Sequence, residues 1–285
     1  MVKVDLPSSD NPKKQIEGCV EIIEELNNEC SKNNEIVLDL SELKWILSCS
    51  ALLLSSKMVE LKNKGYKISI IHPKDINVAS YLDKLGFPLG GGKSKSTFMP
   101  IHHFFRKEVE NSKGIIESEM EEVFKVIQQN FPKGLINGIF YLLAEMVDNI
   151  DQHSKFTQGS VMVQFYNKKG HIDIGILDNG ITIPGAYEKN KIEFENDCDA
   201  LYKALEGIST KVGETLRGKG LGTSKKLVNE GLKGDFYILS RNGLFWAEHG
   251  VKSGSKLLKT PLNGTLVCMR FEVPQKELNI YPYIE

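Results

Sequence analysis

The stretch YLLAEMVDNIDQHS, residues 141–154, combines helical periodicity with a polar ridge. On a helix, Glu145, Asn149 and His153 follow one another at intervals of four residues, so each side chain is rotated by only about 40° from the one before. Apolar residues occupy the neighbouring stripe, which predicts that the helix packs on a core. The ridge would then offer a carboxylate, an amide and an imidazole beside that core. An amphipathic helix with a solvated polar face would show the same pattern.

Three glycine-containing segments follow this stretch. The strand-like HIDIGILDNG ends in Asp178-Asn179-Gly180, and a glycine after an acid lets the backbone approach a ligand closely. RGKGLG, residues 217–222, precedes a helix predicted to begin near Thr223, and such glycines can present amides to phosphate oxygens. Gly264-Thr265 opens the strand TLVCMRFEV. Taken singly, each segment also fits an ordinary turn, a loop or a strand residue.

The order of the segments resembles that of a known family. Four motifs are similar to the N box, G1 box, G2 box and threonine motif of the GHKL, or Bergerat-fold, ATP-binding family: Glu145-x3-Asn149, Asp178-x-Gly180, Gly218-x-Gly220-x-Gly222 and Gly264-Thr265. The family includes gyrase, the heat-shock chaperone ATPase, MutL, histidine kinases and the anti-sigma-factor serine kinases. The resemblance implies an ATP-binding α/β sandwich over residues 96–285.

The resemblance also implies roles for residues on the helix and the first strand. Asn149 would hold a magnesium ion that bridges the nucleotide phosphates, since this hard cation takes oxygen ligands. Glu145 would be the catalytic base, or would orient the attacking water or acceptor hydroxyl. Asp178 would accept a hydrogen bond from the adenine amino group, with Gly180 giving the ring close access to the backbone.

Residues 186–222 would be the ATP lid in such a domain. Its glycines, Gly218, Gly220 and Gly222, would close over the phosphates, with Lys219 or Arg217 as the countercharge. Thr265 would contact the adenine side through its hydroxyl or a water. The sequence departs from the family at Thr182, where the second glycine of the DxGxG box is expected. His153 fits a position where kinases of the family often carry histidine, or it caps the helix end.

Residues 1–95 alternate strand and helix patterns, which predicts a small α/β domain with helices at 15–30, 50–64 and 77–85. The run from Ile36 to Ile71 resembles a STAS domain, the fold of anti-sigma-factor antagonists, and implies a regulatory or interaction domain. Where that family carries a phosphorylated Asp-Ser-Ser-Gly turn, this chain has Leu47-Ser48-Cys49-Ser50, with Cys49 at the acceptor position. The sequence leaves two alternatives open. Either Ser48 or Ser50 is a modified residue, or the segment is a degenerate interaction domain.

The remaining patterns complete the expected order of elements. PLGGGKSKST, residues 88–97, predicts a linker, and helices are expected at 112–130 and 134–152. A hairpin, a long polar loop over 182–222, another helix and three strands should follow. GGGKS at 90–94 is not a P-loop, because Phe87 stands where the motif needs glycine. His102-His103 lack the context of a histidine-kinase phosphoacceptor.

Composition narrows the class of partner. The 285 residues carry 36 basic and 37 acidic side chains, a formal net charge of -1, so the broad positive field of a nucleic-acid binder is missing. The five cysteines form no CxxC pair, which favours reduced thiols in a cytoplasmic protein, and no apolar run is long enough for a membrane. The expected function is ATP hydrolysis or phosphoryl transfer to a protein partner, with a homodimer possible. A nucleotide-sensing interaction module without turnover is the alternative.

Overall fold

The computed structural model describes residues 1–106, 112–130, 136–150, 155–208, 220–273, 279 and 281–284. It is a mixed α/β structure with two sheets, one of three parallel strands and one of five antiparallel strands. Within the described residues, no helix combines the length and apolar character that spanning a bilayer would require.

The first unit contains the parallel sheet, in the order β1-β2-β3, and alternates strands with helices as expected. Its elements are β1 (Val2–Lys3), α1 (Pro12–Cys30), β2 (Glu35–Asp39), α2 (Ser48–Asn63), β3 (Lys67–Ile71) and α3 (Ile76–Leu85). The helix ends follow local chemistry. The side chain of Asn11 accepts a hydrogen bond from the Lys14 amide at the start of α1, and Gly86 ends α3 in the left-handed conformation, with φ 72°.

The second unit contains the antiparallel sheet, in the order β4-β5-β6-β8-β7. Its elements are β4 (Phe98–Phe105), α4 (Ser112–Asn130), α5 (Ile136–Asn149), β5 (Gln158–Tyr166), β6 (His171–Asp178), α6 (Ile183–Lys189), α7 (Asp197–Leu205), α8 (Gly220–Lys226), a π-helical turn (Leu227–Gly231), β7 (Asp235–Ala247), β8 (Gly254–Glu272) and α9 (Tyr281–Ile284). Helix α4 and the β5–β6 hairpin lie where the sequence predicts them.

Both faces of the five-stranded sheet are covered. Ile172, Ile174 and Ile176 of β6 join the core formed with α4 and α5, and we call this side the α5 face. The alternate residue Leu177, with Met162 of β5, belongs to the core formed with α1 and α2, which we call the α2 face. Side chains of a strand point to opposite faces in turn, so the sheet is a middle layer shared by two hydrophobic cores.

Helix α2 is buried on nearly every side, with 13 of its 16 residues buried. It lies between the parallel sheet and the α2 face, which explains why the run ALLLSSKMVEL has no polar stripe. At Gly175 of β6, a Cβ atom would lie 2.8 Å from Leu52 Cδ2. The glycine therefore permits the close approach of α2 to β6.

Three expectations for the secondary structure are wrong, and one strand, β4, has no counterpart among the predicted elements. The segment after the predicted linker forms β4, and the loop before it packs on that strand, since a Cβ at Gly90 would lie 2.5 Å from the His103 ring. The region expected as a long polar loop contains α6 and α7, which Thr182 and Asn196 cap through their side chains. The two strands expected within 235–247 are one continuous strand, β7. Helix α8 begins at Gly220, three residues before the expected start.

Candidate functional site

Helix α5 carries the first two predicted site residues. Its apolar stripe, which includes Met146 and Ile150 at the helix end, packs in the core of the α5 face. Glu145 and Asn149 are half-buried on the adjacent ridge. The Nδ2 atom of Asn149 is buried, and no described residue accepts a hydrogen bond from it. A buried N–H group without a partner is costly, and this donor could be satisfied only by a hydrogen-bond acceptor.

The start of α8 packs directly against Glu145. A Cβ atom at Gly220 would lie 1.8 Å from Glu145 Oε2, and one at Gly222 would lie 2.1 Å from the carbonyl oxygen of Leu205. Both distances are far below van der Waals contact, so a side chain at Gly220 would have to displace the Glu145 carboxylate, and one at Gly222 would clash with the backbone of Leu205. The structure thus brings one predicted glycine against the predicted catalytic carboxylate, and the other against the end of α7.

Asp178 ends β6 and continues the set of side chains on the α5 face. The residue is 5% exposed, and its Oδ1 accepts a hydrogen bond of 2.8 Å from the amide of Gly180. Asp178 is paired directly with Thr265 of β8. Gly264 precedes that threonine with φ +115°, and a Cβ there would lie 1.8 Å from the Asp178 carbonyl oxygen. The structure therefore brings Asp178, Gly180 and Thr265 together.

Thr265 is held by a residue that the sequence did not single out. Ser240, at the corresponding position of β7, is fully buried, and its Oγ lies 2.8 Å from Thr265 Oγ1. The amide of Ile183 donates to the same Ser240 oxygen over 2.9 Å. One serine hydroxyl thus connects β7, β8 and the start of α6. Ser240 can be recognised as part of this site only because it is paired with Thr265 across the sheet, and the sequence of one strand does not reveal such pairing.

Thr182, which stands where the DxGxG pattern has its second glycine, has a local structural role. Thr182 Oγ1 accepts a hydrogen bond of 3.0 Å from the amide of Gly185 and caps α6. Threonine is a good N-cap because its hydroxyl satisfies an amide that the helix leaves unpaired. The chain therefore turns from the Asp178 segment into a helix at this point.

Asn179 fastens the same turn to the start of β5. Its Oδ1 accepts hydrogen bonds from the amides of Thr157 and Gln158, over 2.9 and 2.8 Å. Its Nδ2 donates to Thr157 Oγ1 over 2.9 Å. The turn between Asp178 and Gly180 is consequently fixed from both sides, by its own carboxylate and by this amide.

Four predicted site residues, His153, Arg217, Gly218 and Lys219, lie outside the described residues.

The serine-bearing turn of the first unit is buried against the α2 face. Ser48, Cys49 and Ser50 are exposed by 1%, 4% and 0%, respectively. Ser48 Oγ donates a hydrogen bond of 2.9 Å to Asp173 Oδ2, and the Arg270 guanidinium donates to both oxygens of that carboxylate, over 2.7 and 2.8 Å. In this arrangement no side chain of the turn is accessible to another protein.

His103 lies between the two units and is partly buried. Its Nδ1 lies 2.8 Å from Ser160 Oγ and its Nε2 lies 3.0 Å from Ser55 Oγ. Burial, reinforced by the neighbouring His102, lowers the pKa of His103 to about 4. The ring is therefore neutral at physiological pH and serves the contact between α2 and β4.

Comparison with known proteins identifies no family for this chain. The sequence matches no protein-family model and no curated protein.

Proposed function

We propose that residues 96–285 form an ATP-binding domain of the GHKL, or Bergerat-fold, class, and that residues 1–95 are a STAS-like regulatory domain. One observation carries the proposal: the motif segments come together in two groups on the α5 face of the sheet. Asp178 faces Thr265 across the β6–β8 ladder, and Glu145 touches Gly220 where α8 begins. These residues span about 120 positions of sequence, and packing alone does not require an acid and a hydroxyl side by side in a buried sheet.

The Asp178 group would recognise the base. A carboxylate there accepts hydrogen bonds only, which suits the amino group of adenine. Gly180 follows it with no side chain to block a planar ring, and Thr265 offers a hydroxyl on the same face. A guanine base presents an oxygen where adenine presents the amino group, so the carboxylate would favour ATP over GTP.

The α5 group would handle the phosphates. Asn149 would hold magnesium through its Oδ1, since magnesium takes oxygen ligands, while its buried Nδ2, a donor, would face an acceptor such as a phosphate oxygen. When bound, magnesium supplies charge neutralisation for the phosphate oxygens. Glu145 would orient the attacking water or hydroxyl, and its contact with Gly220 sets the position of its carboxylate. Gly218, Gly222 and a cation, Lys219 or Arg217, would complete the phosphate contacts.

The acceptor of the phosphoryl group is water or a separate protein. Ser48 and Ser50, which are at the phosphoacceptor turn of the STAS-like pattern, are buried in the same chain. We therefore place the protein among ATPases or protein serine kinases that act on another molecule.

Radiolabelled ATP tests the proposal. Incubation with the purified protein, with and without a lysate of its source, separates release of free phosphate from transfer to a polypeptide. Asp178→Asn should weaken ATP binding, whereas the isosteric Glu145→Gln should keep ATP affinity and abolish turnover. Equal turnover in wild type and Glu145→Gln, with intact binding, would favour a nucleotide-sensing module. An unchanged ATP affinity in Asp178→Asn would overturn the proposed site.

A further inference from the structure

A continuous line of hydrogen bonds runs from α2 of the first unit to the turn that contains Asp178. The residue at the centre of this line is Gln158, the first residue of β5, whose side chain lies on the α2 face. The Nε2 group of Gln158 donates to the carbonyl oxygen of Ser56 over 3.1 Å and to Ser56 Oγ over 3.0 Å. Gln158 and Ser56 are exposed by only 4% and 7%. This contact is shielded from water, so it holds the two units in one register.

The backbone of the same glutamine holds the turn. The Gln158 amide donates to Asn179 Oδ1 over 2.8 Å, and the Asn179 amide donates to the Gln158 carbonyl oxygen over 3.0 Å. Asn179 lies between Asp178 and Gly180. One residue therefore contacts α2 through its side chain and the candidate base-binding turn through its backbone.

The space beside this line is small. A cavity of about 30 Å³ separates α2 from the turn and is lined by Ser56, Gln158, Asn179 and Asn263, among others. It is close to the volume of a single water molecule. A displacement of α2 along the sheet would consequently pull on Gln158, because its Nε2 is hydrogen-bonded to both the carbonyl oxygen and the hydroxyl of Ser56.

We propose that Gln158 is a positioning residue through which α2 sets the geometry of the Asp178–Gly180 turn, and with it the affinity for adenine nucleotide. The inference rests on the proposed function and deepens it, because it gives the first unit a means of regulating ATP binding. A signal that shifts α2 would reach Asp178 through Ser56 and Gln158. Glu145 and Asn149 stand on α5, away from this line, so binding would change more than turnover.

Two variants interrupt the line without touching the backbone bonds to Asn179. Gln158→Met keeps the length of the side chain and removes its donor, and Ser56→Ala removes one of two acceptors. Losing a buried hydrogen bond changes an equilibrium constant by roughly fivefold to tenfold. We expect Gln158→Met to raise the dissociation constant for ATP by about that factor, and Ser56→Ala to raise it less, with kcat nearly unchanged in both.

Tyr81→Phe is the matched control. Tyr81 of the first unit shares a hydrogen bond of 3.0 Å with Tyr166, which lies at the opposite end of β5 from Gln158. The variant loses a contact between the same two units but leaves the line to Asn179 intact. It should bind ATP as the wild type does.

A second measurement does not depend on ATP. Hydrogen exchange in the nucleotide-free protein should accelerate at the amides of Asn179 and Gly180 in Gln158→Met and stay unchanged in Tyr81→Phe. Wild-type ATP affinity and wild-type exchange in Gln158→Met would overturn the inference. If Gln158→Met does not fold, Ser56→Ala decides by the same two readouts. If the wild type binds no ATP, the proposed function fails, and exchange alone then decides whether α2 controls the turn.

Discussion

Ser240 Oγ and Thr265 Oγ1 lie 2.8 Å apart on the neighbouring strands β7 and β8. Thr265 is in turn paired with Asp178 on the next strand. Three adjacent strands thus present a serine, a threonine and an aspartate in a row on the α5 face. A core of this kind is normally apolar, and the polar groups of this row are hydrogen-bonded within the chain, Ser240 to Thr265 and Asp178 to the amide of Gly180.

Ser240→Ala should affect both stability and nucleotide binding. It leaves the Ile183 amide without its acceptor and Thr265 without its hydroxyl partner, which destabilises the protein by about 1–3 kcal/mol. Denaturant unfolding gives the stability and a fluorescent ATP analogue gives the affinity. A variant that is destabilised but binds ATP with unchanged affinity would confine Ser240 to a structural role.

Gly220→Ala should displace the Glu145 carboxylate, because the added Cβ would lie 1.8 Å from Glu145 Oε2. We expect a loss of about 1–3 kcal/mol in unfolding free energy, which is typical of overpacking. In a Glu145→Ala background the same glycine substitution should cost much less, since the clashing atoms are gone. A double-mutant cycle by denaturant unfolding measures this coupling, and additive effects would show that Gly220 meets some other group.

Periodic segments could be predicted from the sequence, and segments fixed by distant contacts could not. Helix α4 at Ser112–Asn130 was predicted correctly, since its apolar residues recur at helical spacing. Strand β4 was missed because FMPIHHFF holds a proline and two histidines, and because the hydrogen bonds that place His103 in the structure come from Ser55 and Ser160, which are distant in sequence. Helices α6 and α7 were missed because the caps Thr182 and Asn196 lie in a stretch that reads as polar loop.

The candidate site divides in the same way. The motif residues Glu145, Asn149, Asp178 and Thr265 stand out because their spacing resembles a family pattern, whereas Ser240 and Gln158 belong to no motif. Their positions depend on strand register and on the seating of α2, both of which are tertiary properties. One signal was available: α2 has apolar residues all round, which predicts burial between two layers.

The stability of the protein should fall in mild acid because of His103. Burial lowers the pKa of this histidine from 6.5 to about 4, so the unfolded chain binds its proton more readily than the folded protein does. The free energy of unfolding therefore keeps its full value above pH 6.5. It falls by up to about 3 kcal/mol as the pH drops from 6.5 towards 4. Unfolding free energies of wild type and His103→Gln, measured over that range, should differ in slope. Parallel curves would contradict the prediction.

Asp173→Ala should be among the most damaging single changes between the two units. It leaves the Arg270 guanidinium buried without its carboxylate and removes the partner of Ser48, so we expect a loss of about 3–5 kcal/mol. Asp10→Ala is the matched control, because the Asp10 ion pair with Lys169 is exposed and contributes about 1 kcal/mol or less. Thermal and denaturant unfolding compare the two variants. Equal effects would mean that the buried pair adds nothing beyond a surface pair.

Thiol labelling should report how firmly the first unit sits on the sheet. Cys30 is partly exposed, whereas Cys19, Cys49, Cys198 and Cys268 are buried. Burial also raises the pKa of Cys19 and of Cys268, which keeps them as unreactive thiols. In native protein, a maleimide followed by mass spectrometry should modify Cys30 first, and Cys49 and Cys268 only as fast as the two units separate or unfold. In guanidinium all five should react at similar rates. Labelling of Cys49 or Cys268 as fast as Cys30 in the native protein would mean that α2 leaves the sheet readily.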